Sequence, residues 1–224
     1  MLALRISNVY TANMIINDNS VNIKPRSRAY HHGDLRSALI ETGLSWLATR
    51  SGAEISLREI ARLVGVSATA VYRHFPDKQA LIAALCERGE AELAITQRSA
   101  AAAAGGGVAG FGASGKAYVQ FALANPSLFR LMMSIRPAAG WLPDVLDNKG
   151  PAMRGLRDDV AAVLPGSGDA QQRLAAIHAW SLVHGMAMLM LDGMLPADEA
   201  LINSISSPQF EAAQDLPAFP DKAD

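Results

Sequence analysis

The sequence predicts an all-α protein: an amino-terminal three-helix helix-turn-helix domain followed by a helical bundle. Three observations predict it. Half of the 224 residues are apolar, and Ala, Leu and Met far outnumber the β-branched and aromatic types, a composition that favours helix over strand. No strand-like alternation of useful length occurs, whereas apolar residues recur at helical spacing. Two short helical segments are separated by the tight turn Gly65-Val66-Ser67, the spacing and turn chemistry of a helix-turn-helix.

Residues 1–28 have no sustained period and are rich in Asn and Ser, so they read as a flexible extension, ending in the basic run KPRSR with Lys24, Arg26 and Arg28. The first helix is expected to start near Asp34, after the Gly33 break, with Leu35, Ala38, Leu39, Thr42, Trp46 and Leu47 as its inner stripe. Ser56 with Glu59 has the spacing of a capping box and marks the second helix start. Ile60, Ala61 and Val64 supply its apolar face, and Gly65 stands where a left-handed residue would end it.

Ser67 can cap the next helix, whose inner face is Ala70, Val71 and Phe75. Pro76 closes that helix and Asp77 caps a long one, which runs from Lys78 through an alanine run to the Gly105-Gly106-Gly107 linker. Beyond the linker GKAYVQFALAN ends at Pro126, SLFRLMMSI ends at Pro137, and a loop holds Gly140, Pro143 and Gly150. A helix from about Ala152 to Leu164, the run QQRLAAIHAWSLVHGMAMLML and a last helix from about Asp198 to Ile205 complete the chain. The domains expected are 1–28 as extension, 29–85 as the helix-turn-helix domain, 86–210 as a second helical domain, and 211–224 as tail.

Composition narrows the function. The single cysteine, Cys86, rules out an intramolecular disulfide framework and fits a reducing compartment. The net charge of −1 conceals an asymmetry: nine Lys/Arg against five Asp/Glu from Lys24 to Lys78, and ten against fifteen from Gln79 to Asp224. A basic amino-terminal third points that part of the chain at a polyanion.

Ser7, Asn8, Thr11 and Asn13 break any export signal. The apolar run Leu174 to Leu191 carries two histidines and a serine and lacks flanking Lys/Arg clusters. It reads as a helix enclosed in a bundle rather than a membrane span, so a cytoplasmic protein without membrane contact is expected. His178 and His184, six residues apart, sit about 120° apart around a helix and do not converge. His31 and His32 adjoin Asp34 with no second ligand cluster. No metal site, cofactor or catalytic group is expected.

A recognition helix needs short side chains at its start, to approach base edges, and polar or basic groups beside them to hold phosphates. Ala68, Thr69 and Ala70 are short; Tyr72, His74 and Lys78 suit phosphates, and Arg73 suits either guanine or phosphate. Ser56 and Arg58 open the preceding helix, and Ser67 opens the recognition helix itself; both helix starts are candidates for backbone contacts. The KPRSR arm suits a minor groove or phosphates, or is a solubilising segment only.

The stretch from His31 to Leu85, above all IARLVGVSATAVYRHFPDK, closely resembles the DNA-binding domain of the TetR family of transcriptional regulators. YVQFALANPSLFRLMMS and AWSLVHGMAML resemble one subgroup of its ligand-binding domains, with Trp180, His184 and Gly185 as marker residues. The resemblance implies an all-helical homodimer that reads a palindromic double-stranded operator, most often as a repressor, and a second domain that binds a small molecule. It places Tyr72, His74 and Lys78 on phosphates, with Thr69 and Arg73 facing the groove. The segment before Lys24 departs from the family pattern.

Phe121, Phe129, Met132, Met133, Trp141, Trp180, His184 and Met188 are candidates to line a cavity for an apolar or aromatic effector, or are ordinary core. Gly185 among large side chains is read as a close helix approach. The alternatives are a constitutive DNA-binding dimer without ligand, which a filled core would favour, and an all-α enzyme.

Overall fold

The computed structural model describes residues 35–49, 55–134 and 150–205, and every regular element among them is an α-helix. The first four are α1 (Leu35–Thr49), α2 (Leu57–Val64), α3 (Ala68–Tyr72) and α4 (Lys78–Ala103). The rest are α5 (Gly107–Ala124), α6 (Pro126–Ser134), α7 (Pro151–Val163), α8 (Asp169–Leu191) and α9 (Glu199–Asn203).

Most helix boundaries follow the expected chemistry. Gly65 adopts φ 82° and ψ 30°. The N–H of Val66 donates to the Ala61 carbonyl at 3.0 Å, and that of Gly65 to the Arg62 carbonyl at 3.3 Å. This pair of bonds is the Schellman arrangement, which satisfies the orphan carbonyls at the end of α2. Ser67 Oγ accepts from the Ala70 N–H at 3.2 Å, and Asp77 Oδ1 from the Ala80 N–H at 2.8 Å. Because an L side chain is strained at the φ of Gly65, Gly65→Ala is expected to cost about 1–2 kcal/mol, read as a lowered denaturant midpoint.

Four expectations are corrected. Ser56 is the N-cap of α2 by backbone position, but its side chain makes no capping bond; the Ser56–Glu59 capping box does not form. The third helix stops at Tyr72, so Arg73 and His74 lie on the turn after it, where the N–H groups of His74 and Phe75 both donate to the Val71 carbonyl at 2.9 Å. The glycine triplet is a tight turn, not a linker: Gly105, Gly106 and Gly107 all have positive φ, and α5 starts at Gly107 rather than near Gly115. The last helix is a short one, Glu199–Asn203, capped by Asp198.

The core of α4 is Leu81, Leu85 and Leu93, and α4 packs against α5, α6 and α7. Two glycines permit close contacts along it. A Cβ on Gly43 of α1 would stand 2.9 Å from a Leu85 methyl, and one on Gly89 would stand 2.6 Å from Met132 Sδ and 3.2 Å from Leu128 Cδ1 of α6. Glu41 of α1 and Arg88 of α4 pair at 3.4 Å, a solvent-facing ion pair that contributes little to stability. One continuous helix thus touches α1 in the helix-turn-helix region at Leu85 and α6 at Gly89, one turn further on.

The long apolar helix is covered on one side only. Ala175, Ala176, Val183, Ala187 and Met190 of α8 are buried, while Ile177, Leu182 and Leu189 are 42%, 39% and 40% exposed. α8 is long and apolar enough to cross a membrane by length and composition, yet its inner face packs on α5 and α7. Gly185 has no neighbour among the described residues within 4 Å of where a Cβ would be, and the close approach expected there is one between paired subunits.

Candidate nucleic-acid interface

The α2–α3 unit is anchored from within. Leu57, Ile60 and Ala61 of α2, Val71 of α3 and Phe75 in the turn beyond are buried. Arg36 of α1 lies over the Phe75 ring, its guanidinium carbon 5.3 Å from the centroid, a cation–π contact that ties α1 to the end of the recognition unit. With those apolar groups turned inward, Thr69, Tyr72, Arg73 and His74 are all exposed. Positions 69, 72 and 73 are related by steps of three and four residues and share one face.

That face carries a hydroxyl, a phenol and a guanidinium side by side, with an imidazole beyond. Tyr72 is 47% exposed. Ala68, Ala70, Lys78 and Ser56 are half-buried, and Ser67 and Arg58 exposed. The structure therefore leaves Ser67, Thr69, Tyr72, Arg73 and His74 exposed, with Thr69, Tyr72 and Arg73 on one face. Lys24, Arg26 and Arg28 lie outside the described residues.

The candidate effector residues divide. Phe121, Phe129 and Met132 are buried, Met133, Trp180, His184 and Met188 half-buried, and Trp141 lies outside the described residues. Phe129, His184 and Trp180 form a run of rings, with centroids 5.9 Å apart for Phe129–His184 and 5.6 Å for Trp180–His184. Tyr118, which sequence reasoning passed over, organises them: its ring meets Phe129 edge-on at 5.5 Å and 84°. Its only advance signal was a tyrosine within the largely apolar stretch AYVQFALA.

The indole Nε1–H of Trp180 donates to Tyr118 Oη at 3.3 Å, and Tyr118 Oη stands 3.1 Å from His184 Nδ1. Indole can only donate, so the phenol accepts from Trp180, and its own O–H can donate to His184 Nδ1 in the tautomer that carries its proton on Nε2. Burial pushes the Tyr118 phenol up to about 12 and lowers His184 from its usual value, both favouring the neutral pair.

The sign follows from linkage. A His pKa lowered by folding means that the unfolded chain binds the proton first, so stability is lost as the pH falls below about 6.5. The melting temperature is expected to drop from pH 7 to pH 5, and the drop to be shallower in His184→Asn, measured by thermal denaturation across that range.

Comparison with known proteins agrees with this architecture. Residues 39–85 match the family described as bacterial regulatory proteins, tetR family, and residues 111–205 match the tetracyclin repressor-like C-terminal domain. A solved structure from Rhodococcus sp. RHA1, of a protein of unknown function, is 32% identical, with a TM-score of 0.62 over 84% of this chain and 96% of the other. A protein described as the putative regulatory protein SCO4313 is 26% identical, with a TM-score of 0.55 over 76% and 92%. A protein described as a possible TetR family transcriptional regulator from Streptomyces coelicolor A3(2), 21% identical, has the same fold at a TM-score of 0.53 over 79% and 91%. With both halves of the pattern present on one chain and in the right order, the protein belongs to the TetR family, DNA-binding regulators of transcription rather than enzymes.

Proposed function

We propose that the chain works in the cytoplasm as a homodimeric repressor, which holds a palindromic operator until a small apolar or aromatic effector releases it. The observation that carries the dimer is the outer face of α8. Ile177, Leu182 and Leu189 are left in solvent, and Gly185 between them stands in open space. A helix this apolar needs a cover on both sides, and a second copy of the same helix, related by a two-fold axis, supplies it.

Two copies then present two α3 edges to one duplex, on successive major grooves. Thr69 and Arg73 face the bases, while Tyr72, His74 and Lys78 hold phosphates. Ser56, Arg58 and Ser67 steady the unit, the short Ala68 and Ala70 allow close approach, and Lys24, Arg26 and Arg28 serve as a basic arm. The DNA-binding domain is 29–85 and the effector and dimer domain 86–210, with α4 continuous across the boundary. An effector acts by favouring one position of α6, which reaches α4 through Met132 and Gly89; it must bind one state more tightly to shift the balance.

Phe121, Phe129 and Met132 are packed inward, which favours a second reading, a constitutive dimer with no ligand in the aromatic cluster. The deciding experiment selects bound sites from random DNA with purified protein, alongside sedimentation. Repeats with two-fold symmetry and a dimer are expected. A monomer that enriches no sequence would end the reading.

On the selected site, Lys78→Ala is expected to weaken binding to all sequences alike and reduce the salt slope by about one. Arg73→Ala is expected to cost about 1–3 kcal/mol and relax preference at one base position. Fluorescence anisotropy across a salt series separates the two, and an Arg73→Ala variant that behaves like Lys78→Ala assigns Arg73 to phosphate.

A further inference from the structure

A crevice between α4, α5 and α7 belongs neither to the helix-turn-helix nor to the aromatic cluster. Its space of about 220 Å³ is mostly open to solvent, and the enclosed part is far smaller than a pocket for a drug-sized ligand. Gln97, Arg98, Ser114 and Asp159 are its polar groups, and Leu156 and Gly155 contribute apolar wall. Gly155 lies inside α7, where glycine is about 0.5–1 kcal/mol worse than alanine. No atom lies within 4 Å of where its Cβ would be, so packing does not require the glycine; its effect is to leave the crevice open.

The polar groups are linked. Gln97 Nε2 donates to Ser114 Oγ at 3.3 Å and to the Ser114 carbonyl at 3.4 Å. Ser114, itself buried, hydrogen-bonds Asp159. Asp159 is half-buried and makes no ion pair among the described residues, although Arg98 borders the same crevice. A carboxylate withdrawn from water without a counter-ion is costly. Burial raises its pKa, with Asp158 adding to the rise and the Ser114 bond opposing it.

We propose that this crevice binds the ammonium head of a small primary amine, with Asp159 as counter-ion and the alkyl chain along Leu156. An ammonium brings three N–H donors, which the Asp159 carboxylate can accept. The enclosed part takes roughly one water-sized group, which admits –NH₃⁺ and excludes a quaternary head. Arg98 at the border disfavours dications. The site stands apart from the aromatic cluster and does not rest on the effector reading.

The test is calorimetric titration and thermal denaturation of the full chain with hexylamine, hexanol and hexyltrimethylammonium at matched ionic strength. Hexylamine is expected to raise the melting temperature saturably and to bind at least tenfold more tightly than the other two. Asp159→Asn, nearly isosteric, and Gly155→Leu, which fills the space, are each expected to lower that affinity tenfold or more. Their unliganded melting and helical circular dichroism report whether they fold. If Gly155→Leu does not fold, Ser114→Ala replaces it, with a smaller loss of affinity expected. Equal binding of the alcohol or the quaternary amine, or undiminished binding by Asp159→Asn, overturns the proposal. So does amine binding that arises only in Arg98→Gln, since Asp159 would then be neutralised by the protein's own arginine. Because the readout is direct binding without DNA, failure here leaves operator recognition untouched.

Discussion

Leu182→Glu is expected to leave a folded monomer whose affinity for the selected operator falls about 10²–10⁴-fold. In the single chain Leu182 is 39% exposed, so a carboxylate there stays in water and the chain retains its fold. Against a second copy of α8 the same carboxylate would be driven into an apolar seam beside Leu189, a buried charge without a partner. Losing the dimer removes the second, intramolecular binding event, and that factor of avidity is the size of the expected drop. Sedimentation velocity and anisotropy on the same samples check both halves. A variant that remains dimeric, or a monomer that binds with undiminished affinity, would show that α8 is not the pairing face.

Phe129→Ala is expected to cost about 3–5 kcal/mol, or roughly 6–20 °C in melting temperature for a chain of this size. Phe129 is fully buried, and its ring meets Tyr118 edge-on and lies 5.9 Å from the His184 ring. It therefore stands where α5, α6 and α8 meet, and removing it leaves a cavity among rings that cannot collapse without breaking the Trp180–Tyr118–His184 bonds. Met133→Ala, on the half-buried side of the same helix, is the control and should cost less. Equal losses for the two variants would mean that the rings are not the keystone of this bundle.

Local chemistry was legible where it acts over a few residues. The stop at Gly65, the caps at Ser67 and Asp77 and the break at Pro126 all appear where backbone rules place them, whereas the third helix stops at Tyr72, ahead of Pro76. The same rules misjudged Ser56, whose spacing to Glu59 is right but whose side chain makes no capping bond. They also misjudged the glycine-rich start of α5, since glycine's poor helix propensity is overridden when a helix packs on its neighbours. Tyr118 was missed because its role depends on Trp180 and His184, 62 and 66 residues away.

By itself, the sequence determined the helical class, the order of the elements and the polar character of the α3 edge, because periodicity, caps and turns are encoded within one or two turns of chain. Only the tertiary structure decided which side of α8 is left bare, that Gly43 and Gly89 let α1 and α6 close on α4, and that Asp159 faces a crevice with no ion pair among the described residues. Those facts arise from contacts between residues far apart in the chain, and a one-dimensional pattern does not say which face of a helix its neighbours will cover.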